Sequence, residues 1–570
     1  MTSTATQSVV QSTLSLWVQS EPFSYGALGV PPHPRLSPHN LKKIITYAKN
    51  KGNCYPNLSY PIWNHIALNK LQLSEDVAWS YFETSMILSG WTAEEKHDWD
   101  RQIGQCETKE QIEAARKELV VDVHRFVLLL FVQQLHKISL RASLVSGSDE
   151  WPMHARSPEL EAGRGTPTGS KSLDEHGHHM FVVNNLKDLV EVLVEPDPYS
   201  SSGNTGGAFC LSIEAVKALG FLIAGSVDGV RQVKPLHELA LMQQNKDKAG
   251  FSKVTRTFCY PKFLSWLRSS LTQNPFGISN CIASGRRLSW PLEGEDPEHR
   301  AEVKRGKIAT NAHIVPREYM KGNKVIIMSQ VCKQTVARSS HTLEWSSVKI
   351  HRCHHSQIYL LSPLRSVNIE KCRNSTVVLG AVDIAIHMNA CENVTVIATT
   401  RRISISGSTL CRVHVMTPTR PLLLSSNDTI IFAPYHTAYP KLEDHMARVG
   451  LSPVSDQWDK PVCLGVDHQE ASPVWELMKP EDFYPFTIPF AMDGHTKHMP
   501  WNLPPKYEAA VVDRQKQIDN WQKMVKHAGL TREQRKQFQS VVEARFQEWL
   551  ADTGHKRELD GLVVPAPAKK

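Results

Sequence analysis

The chain has 570 residues, 41% hydrophobic and 21% charged, with 65 Lys and Arg against 57 Asp and Glu and a formal charge of +8. That length exceeds one ordinary core and predicts about three domains. The basic excess is mild, and no basic run is interleaved with aromatics, so nucleic-acid binding is excluded while acidic partners such as tubulin or phosphoinositide surfaces remain compatible.

Residues 1–20 are polar, rich in Ser and Thr, and read as a disordered tail without the charged start and apolar centre of a secretory signal. Thr2 argues against N-myristoylation, and the closing Ala-Lys-Lys against prenylation. Residues 21–140 read as a mainly α-helical N-terminal region. "SPHNLKKIITYAKNKG" has a Ser start, an apolar stripe at Leu41, Ile44, Ile45 and Ala48, and a Gly stop. "TAEEKHDWDRQIGQCETKEQIEAARKEL" reads as charged, solvated helix, and the scattered tryptophans as packing anchors. Val120 to Leu140 is the most apolar stretch, but His124, Arg125, Gln133, Gln134, His136 and Lys137 argue for a buried amphipathic helix and against an integral membrane segment.

Residues 141–180 shift to Ser, Gly, Pro and charge and read as a disordered insert; His176, His178 and His179 within it read as a solvated tract. Residues 181–300 resume helical structure and end in a polar linker. There "FCLSIEAVKALGFLIAG" predicts a short strand and a buried helix, and "LHELALMQQN" and "YPKFLSWLRSSLTQ" predict further helices. Residues 301–448 hold the periodic region described next. Residues 449–505 are rich in Pro and predict an extended segment lying over another domain. Residues 506–570 predict C-terminal helices and a tail, with a Thr531–Gln534 capping box.

Internal repetition marks the periodic region. Cys353, Cys372, Cys391 and Cys411 are spaced by 19, 19 and 20 residues. Ile358, Val377 and Val396 follow the first three at a fixed offset of five, and Leu360, Leu379 and Ala398 at seven. A second strand recurs as Val367-Asn-Ile369, Ile384-Ala-Ile386 and Ile403-Ser-Ile405. A period near 20 with short alternating strands, and without the leucine-rich frame, predicts a right-handed parallel β-helix whose coils stack about 4.8 Å apart. Each thiol then fills a tight inward corner. The eleven cysteines form no CxxC pair, so reduced, structural thiols are expected. His351, His354 and His355 read as surface histidines. No phosphate loop, dinucleotide fingerprint, zinc-protease or nucleophile-elbow motif occurs, so no cofactor and no metal are expected.

On "VNIEKCRNSTVVLGAVDIAIHMNACENVTVIATTRRISISGSTLCRVHVMTPTRPLLLSSNDTIIFAPY" the sequence resembles the C-CAP/cofactor C-like domain of tubulin-binding cofactor C, the X-linked retinitis pigmentosa protein and cyclase-associated proteins. "AYPKLEDHMARVGL" resembles the TBCC domain-containing branch of that superfamily. The resemblance implies a tubulin or small Arf-like GTPase partner, together with centrosomal proteins. It implies a place in the cytoplasm and cytoskeleton, at the centrosome or spindle pole. The implied role is a cytoskeletal adaptor acting in Golgi positioning, cell shape and microtubule organisation. In such relatives an arginine within a Q-x-F-R pattern serves as an arginine finger, whose guanidinium neutralises charge on a transferring phosphoryl group, an effect of about 10³ to 10⁵ in rate. The matching position is Arg402 in "ATTRRISIS". Arg401 stands in place of Phe, and Thr399 and Thr400 stand in place of the glutamines. An arginine without its orienting neighbours implies an adaptor that binds through Arg401 and Arg402, with a GTPase-activating protein using Arg402 as the alternative. A third reading leaves both arginines as solvated charges at a turn.

Overall fold

A computed structural model describes residues 14–52, 54–135, 175–196, 209–227, 232–288, 307–338, 341–464, 473–490, 492, 494 and 498–553. The chain divides into two compact units. One comprises Met1–Trp91, Thr108–Gly285 and Asn311–Asn323, and the other Thr92–Glu107, Arg286–Thr310 and Lys324–Lys570.

In the first unit, helices start where a side chain satisfies an otherwise orphaned backbone N–H. Ser37 caps Pro38–Lys51, Ser74 caps Glu75–Leu88 and Asp122 caps Val123–Val132. In the last of these every residue but Arg125 is buried, so its apolar run forms core on all sides. Two short antiparallel ribbons organise the unit. Asn57–Ser59 pairs with Val120–Asp122 around Leu58 and Val121, and Phe209–Ser212 pairs with Thr257–Cys259 around Leu211 and Phe258. Each of the four strands runs directly into a helix: Tyr60–His65, Val123–Val132, Ile213–Leu219 and Tyr260–Ser270.

Two expectations are corrected here. The disordered tail of residues 1–20 is too long, because Leu14–Val18 is a strand pairing with Ile223–Val227 and Leu271–Thr272. Its Trp17 is fully buried against Phe276 and Tyr319. The disordered insert of residues 141–180 also runs too far, because a helix spans Glu175–Glu191. His178 on that helix is buried and stacked 5.0 Å from Phe23, so an apolar partner outside the His-rich tract decides its burial. Residues 141–174 lie outside the described residues.

The second unit is a parallel β-solenoid of about 6 turns, with helices in the C-terminal part. One sheet stacks Val325–Ser329, Ser347–His351, Ser366–Glu370, Ile386–Asn389, Ile403–Ser406, Leu422–Leu423 and Val462–Cys463 in parallel. Arg286–Arg287 and Lys307–Thr310 add to its first edge antiparallel. The facing sheet stacks Thr335–Arg338, Gln357–Leu360, Arg373–Val382, Glu392–Thr400, Arg412–Met416, Ile430–Pro434 and Trp475–Leu477, all parallel.

Identical positions pile into apolar ladders, such as Val336, Ile358, Val377, Val396, Val413 and Phe432. Burying each such side chain is worth roughly 1.5–3 kcal/mol. The four cysteines are at most 1% exposed and line one inward corner. The Sγ of Cys372 lies 3.5 Å from the Glu370 carbonyl and 3.6 Å from the Ile350 carbonyl one coil earlier, and Cys391 repeats the pattern with Asn389 and Ile369. Left-handed residues bracket that corner in two columns. Arg352, Lys371 and Ala390 precede the thiols, and His355, Asn374 and Asn393 follow them. Asn side chains tolerate this conformation, and Asn393 Nδ2 donates to Asn374 Oδ1 at 2.8 Å along the ladder.

One repeat assignment is corrected. Val367 pairs with Ile386 and Ile369 with Met388, so the middle strand is Ile386-His-Met388 rather than Ile384-Ala-Ile386. A two-residue slip keeps every side chain on its face, so alternation cannot detect it. The shift coincides with an irregularity at Val378/Ala381. Gly380 lies there with its α-carbon so close to the Ser362 backbone that a Cβ would stand 2.7 Å from the Ser362 nitrogen.

The described part of the Pro-rich segment lies on the solenoid itself. Its two strands extend both sheets, and Phe486, Ile488, Phe490, Met499 and Trp501 pack against Tyr359, Val378, Ile397 and Tyr435. Helices follow at Pro505–His527 and Arg532–Thr553. Thr531 and Gln534 close the expected capping box at 3.0 and 3.3 Å.

Candidate functional site

The arginine pair follows the Glu392–Thr400 strand, where the chain turns toward Ile403–Ser406. The backbone there is tightly held. Arg401 N donates to the Val382 carbonyl at 3.2 Å, and the Arg401 carbonyl accepts from Thr417 Oγ1 at 3.2 Å and Thr419 Oγ1 at 2.8 Å. Thr399 and Thr400 are fully buried, and Thr400 Oγ1 donates to the Arg402 carbonyl at 2.9 Å. Thr400, at one of the two glutamine positions, thus braces the turn.

The reading of solvated arginines is corrected: Arg401 is 4% exposed and Arg402 2%. Arg401 Nη1 donates to Asp100 Oδ1 at 2.6 Å, and its Nη2 donates to the Gly450 carbonyl at 2.5 Å. Asp100 comes from the Ala93–Gly104 helix, which groups with the solenoid unit. A capping box between Thr92 and Glu95 starts that helix. Lys96 and Asp100, one turn apart, share a face. Lys96 Nζ donates to Asp383 Oδ1, and Arg365 Nη1 donates to Asp383 Oδ2 at 2.5 Å. The expectation of a solvated charged helix is therefore corrected: Lys96 and Asp100 are buried.

Electrostatics explains how these charges persist inside. Burial pushes the Lys96 ammonium down, opposed by Asp383. Burial pushes the Asp100 carboxyl up, opposed by Arg401. Burial also acts to raise Asp383, but Lys96 and Arg365 outweigh it and hold the carboxyl below its usual range. The neighbouring Leu442–Val449 helix ends at Gly450 in the left-handed conformation, which frees the Gly450 carbonyl for Arg401. Its Arg448 grips Glu344 at 2.9 and 3.3 Å.

The site thus holds a cluster of two arginines, one lysine and two aspartates in which a helix supplies the lysine and one aspartate. Such an arrangement fixes a guanidinium and recognises a charged helix face. Sequence reasoning named Arg401 and Arg402 but missed Lys96, Asp100, Arg365 and Asp383. One signal was present: Asp383 interrupts the apolar run "VVLGAVDIAI", and a carboxylate there requires cationic partners. Among the described residues no cluster of three His, Cys, Asp or Glu is arranged to hold a metal, and no helix is long and apolar enough to cross a membrane.

Residues 345–462 match the family model described as tubulin binding cofactor C. Over 563 residues the chain is 47% identical to TBCC domain-containing protein 1 of Rattus norvegicus, covering 98% of this chain and 96% of that protein. The Homo sapiens protein of the same name is 47% identical over 98% of this chain and 99% of its own length. The Danio rerio protein of that name is 43% identical over 97% and 94%.

Proposed function

The chain belongs to the TBCC domain-containing protein 1 family, and from that premise we propose that it is a cytoskeletal adaptor whose solenoid docks tubulin or a small GTPase. A tubulin cofactor C-like domain supports a cytoskeleton-related role. The finer reading places the protein in the cytoplasm at the centrosome or spindle pole, beside centrosomal proteins. There it acts in Golgi positioning, cell shape and microtubule organisation. The observation that favours docking over catalysis is the burial of Arg402, the residue at the finger position, which is only 2% exposed. A finger must instead project a guanidinium toward the phosphoryl group of another molecule.

The second reading, a GTPase-activating protein, draws on the retained arginine at position 402. One experiment separates the two. Full-length protein is mixed with GTP-loaded tubulin or an Arf-like GTPase, and binding and phosphate release are followed for the wild type, Arg402→Lys and Arg402→Ala. Binding without faster phosphate release is the adaptor's outcome. Acceleration that both substitutions abolish overturns it in favour of the activator.

A further inference from the structure

Phe251–Ser252 and Thr257–Cys259 form a hairpin at the edge of a four-stranded sheet in the first unit. Its base is anchored, because Phe258 is fully buried with its ring 5.0 Å from Phe251 and 5.3 Å from Phe263. Its turn is braced as well. Thr255 N donates to Ser252 Oγ at 3.4 Å, and the Thr255 and Thr257 hydroxyls share a hydrogen bond of 2.7 Å. Two residues of this turn run against its own chemistry. Val254 is 93% exposed, more than any other large hydrophobic residue among the described ones. Arg256 holds φ at +56°, a left-handed conformation that Gly or Asn adopts with less strain. A turn that retains an apolar side chain and a strained arginine where small polar residues fit better has a use for what those side chains present.

Charge says what kind of surface the turn meets. From residue 246 to residue 285 Asp247 is the only carboxylate, against Lys246, Lys248, Lys253, Arg256, Lys262 and Arg268. Lys248, Lys253, Arg256 and Lys262 are exposed, and none of these four is ion-paired among the described residues. Gly250 brings Lys262 against the hairpin, since a Cβ there would stand 2.7 Å from the Lys262 Cβ. The carboxylates on neighbouring elements are occupied elsewhere. Glu191 accepts from the Tyr260 hydroxyl at 2.8 Å and lies 3.7 Å from Lys187, Glu195 pairs with Lys49 at 2.6 Å, and Glu214 acts on Tyr55 and His124. The tip therefore offers unpaired cations on both sides of one protruding apolar side chain. An acidic protein would match the cations but would also have to supply a socket for Val254. The interface of an anionic bilayer takes both at once, with the cations among the headgroups and the apolar tip just beneath them.

We propose that the 252–257 turn is a membrane-docking tip that binds the surface of an anionic lipid bilayer, with Val254 inserted at the interface and Lys248, Lys253, Arg256 and Lys262 set against the lipid headgroups. The tip belongs to the first unit, so this binding is separate from any partner of the solenoid.

The test uses the full-length chain and vesicles of phosphatidylcholine with and without phosphatidylserine, read by co-sedimentation. Lys253→Gln with Arg256→Gly removes two cations, and Gly at position 256 relieves the left-handed backbone, so the thermal midpoint is expected to match the wild type or exceed it. Val254→Ser removes the apolar tip and leaves every charge in place. The expected result is binding to the phosphatidylserine vesicles alone, weakening as salt rises. The double variant is expected to bind about tenfold more weakly or worse, and Val254→Ser about threefold more weakly or worse. Equal sedimentation with both kinds of vesicle, or with neither, overturns the proposal. So does a double variant that binds like the wild type. Binding that soluble polyglutamate competes away and that Val254→Ser leaves unchanged overturns the bilayer in favour of an acidic protein.

Discussion

Asp100 is 1% exposed and Arg401 4%, so removing either partner strands a charge where water cannot reach it. Asp100→Ala is expected to destabilise the solenoid unit by about 3–5 kcal/mol, whereas Asp100→Leu with Arg401→Met, which removes both charges and keeps the volume, is expected to be near neutral. Chemical denaturation of the three proteins measures both. His445 makes the complementary prediction. Its ring is buried and hydrogen-bonded to Tyr439 at 3.1 Å, and burial lowers its pKa to about 4. A depressed folded pKa means that the unfolded state binds more protons between about pH 4 and pH 6.5. The stabilisation is therefore complete above the ordinary histidine value and is lost as pH falls toward 4, by about 3 kcal/mol. His445→Gln is expected to flatten the denaturation midpoint against pH across that window; an unchanged slope would contradict the assignment.

The coil is the element that repeats, and the thiol ladder gives it a chemical signature. Burial holds the Cys411 thiol up at about 11, and all four ladder thiols are enclosed, whereas Cys54 and Cys259 are exposed. Iodoacetamide followed by mass spectrometry is expected to label Cys54 and Cys259 in the native protein and the ladder only after denaturation. Native labelling at residues 353, 372, 391 or 411 would sink the ladder. This element was legible in the sequence because stacking forces like residues to recur at one spacing. The strand register was legible to within two residues, since a slip of two conserves inside and outside. The arginine turn was legible from its likeness to relatives, but its environment was not. Lys96 and Asp100 lie about 300 residues before Arg401 in the chain, and a pairing across that distance leaves no local pattern. A helix rich in charge reads as solvated whenever its partners are out of view.

At the scale of the molecule, the first unit was the least legible part. Its strands are as short as two or three residues and its His178 is buried by a distant ring, so neither periodicity nor composition announces them. The chain passes between the two units after Trp91, Glu107, Gly285, Thr310 and Asn323. No single scission separates them. A fragment beginning at residue 307 would retain every coil of the solenoid yet lack residues 92–107. Arg401 would keep its charge without Asp100, and Asp383 would lose its lysine. Such a truncated piece would be poorer in stability and stickier toward anions than the same coils in the intact chain. Partners captured with it would include ones that the whole protein excludes.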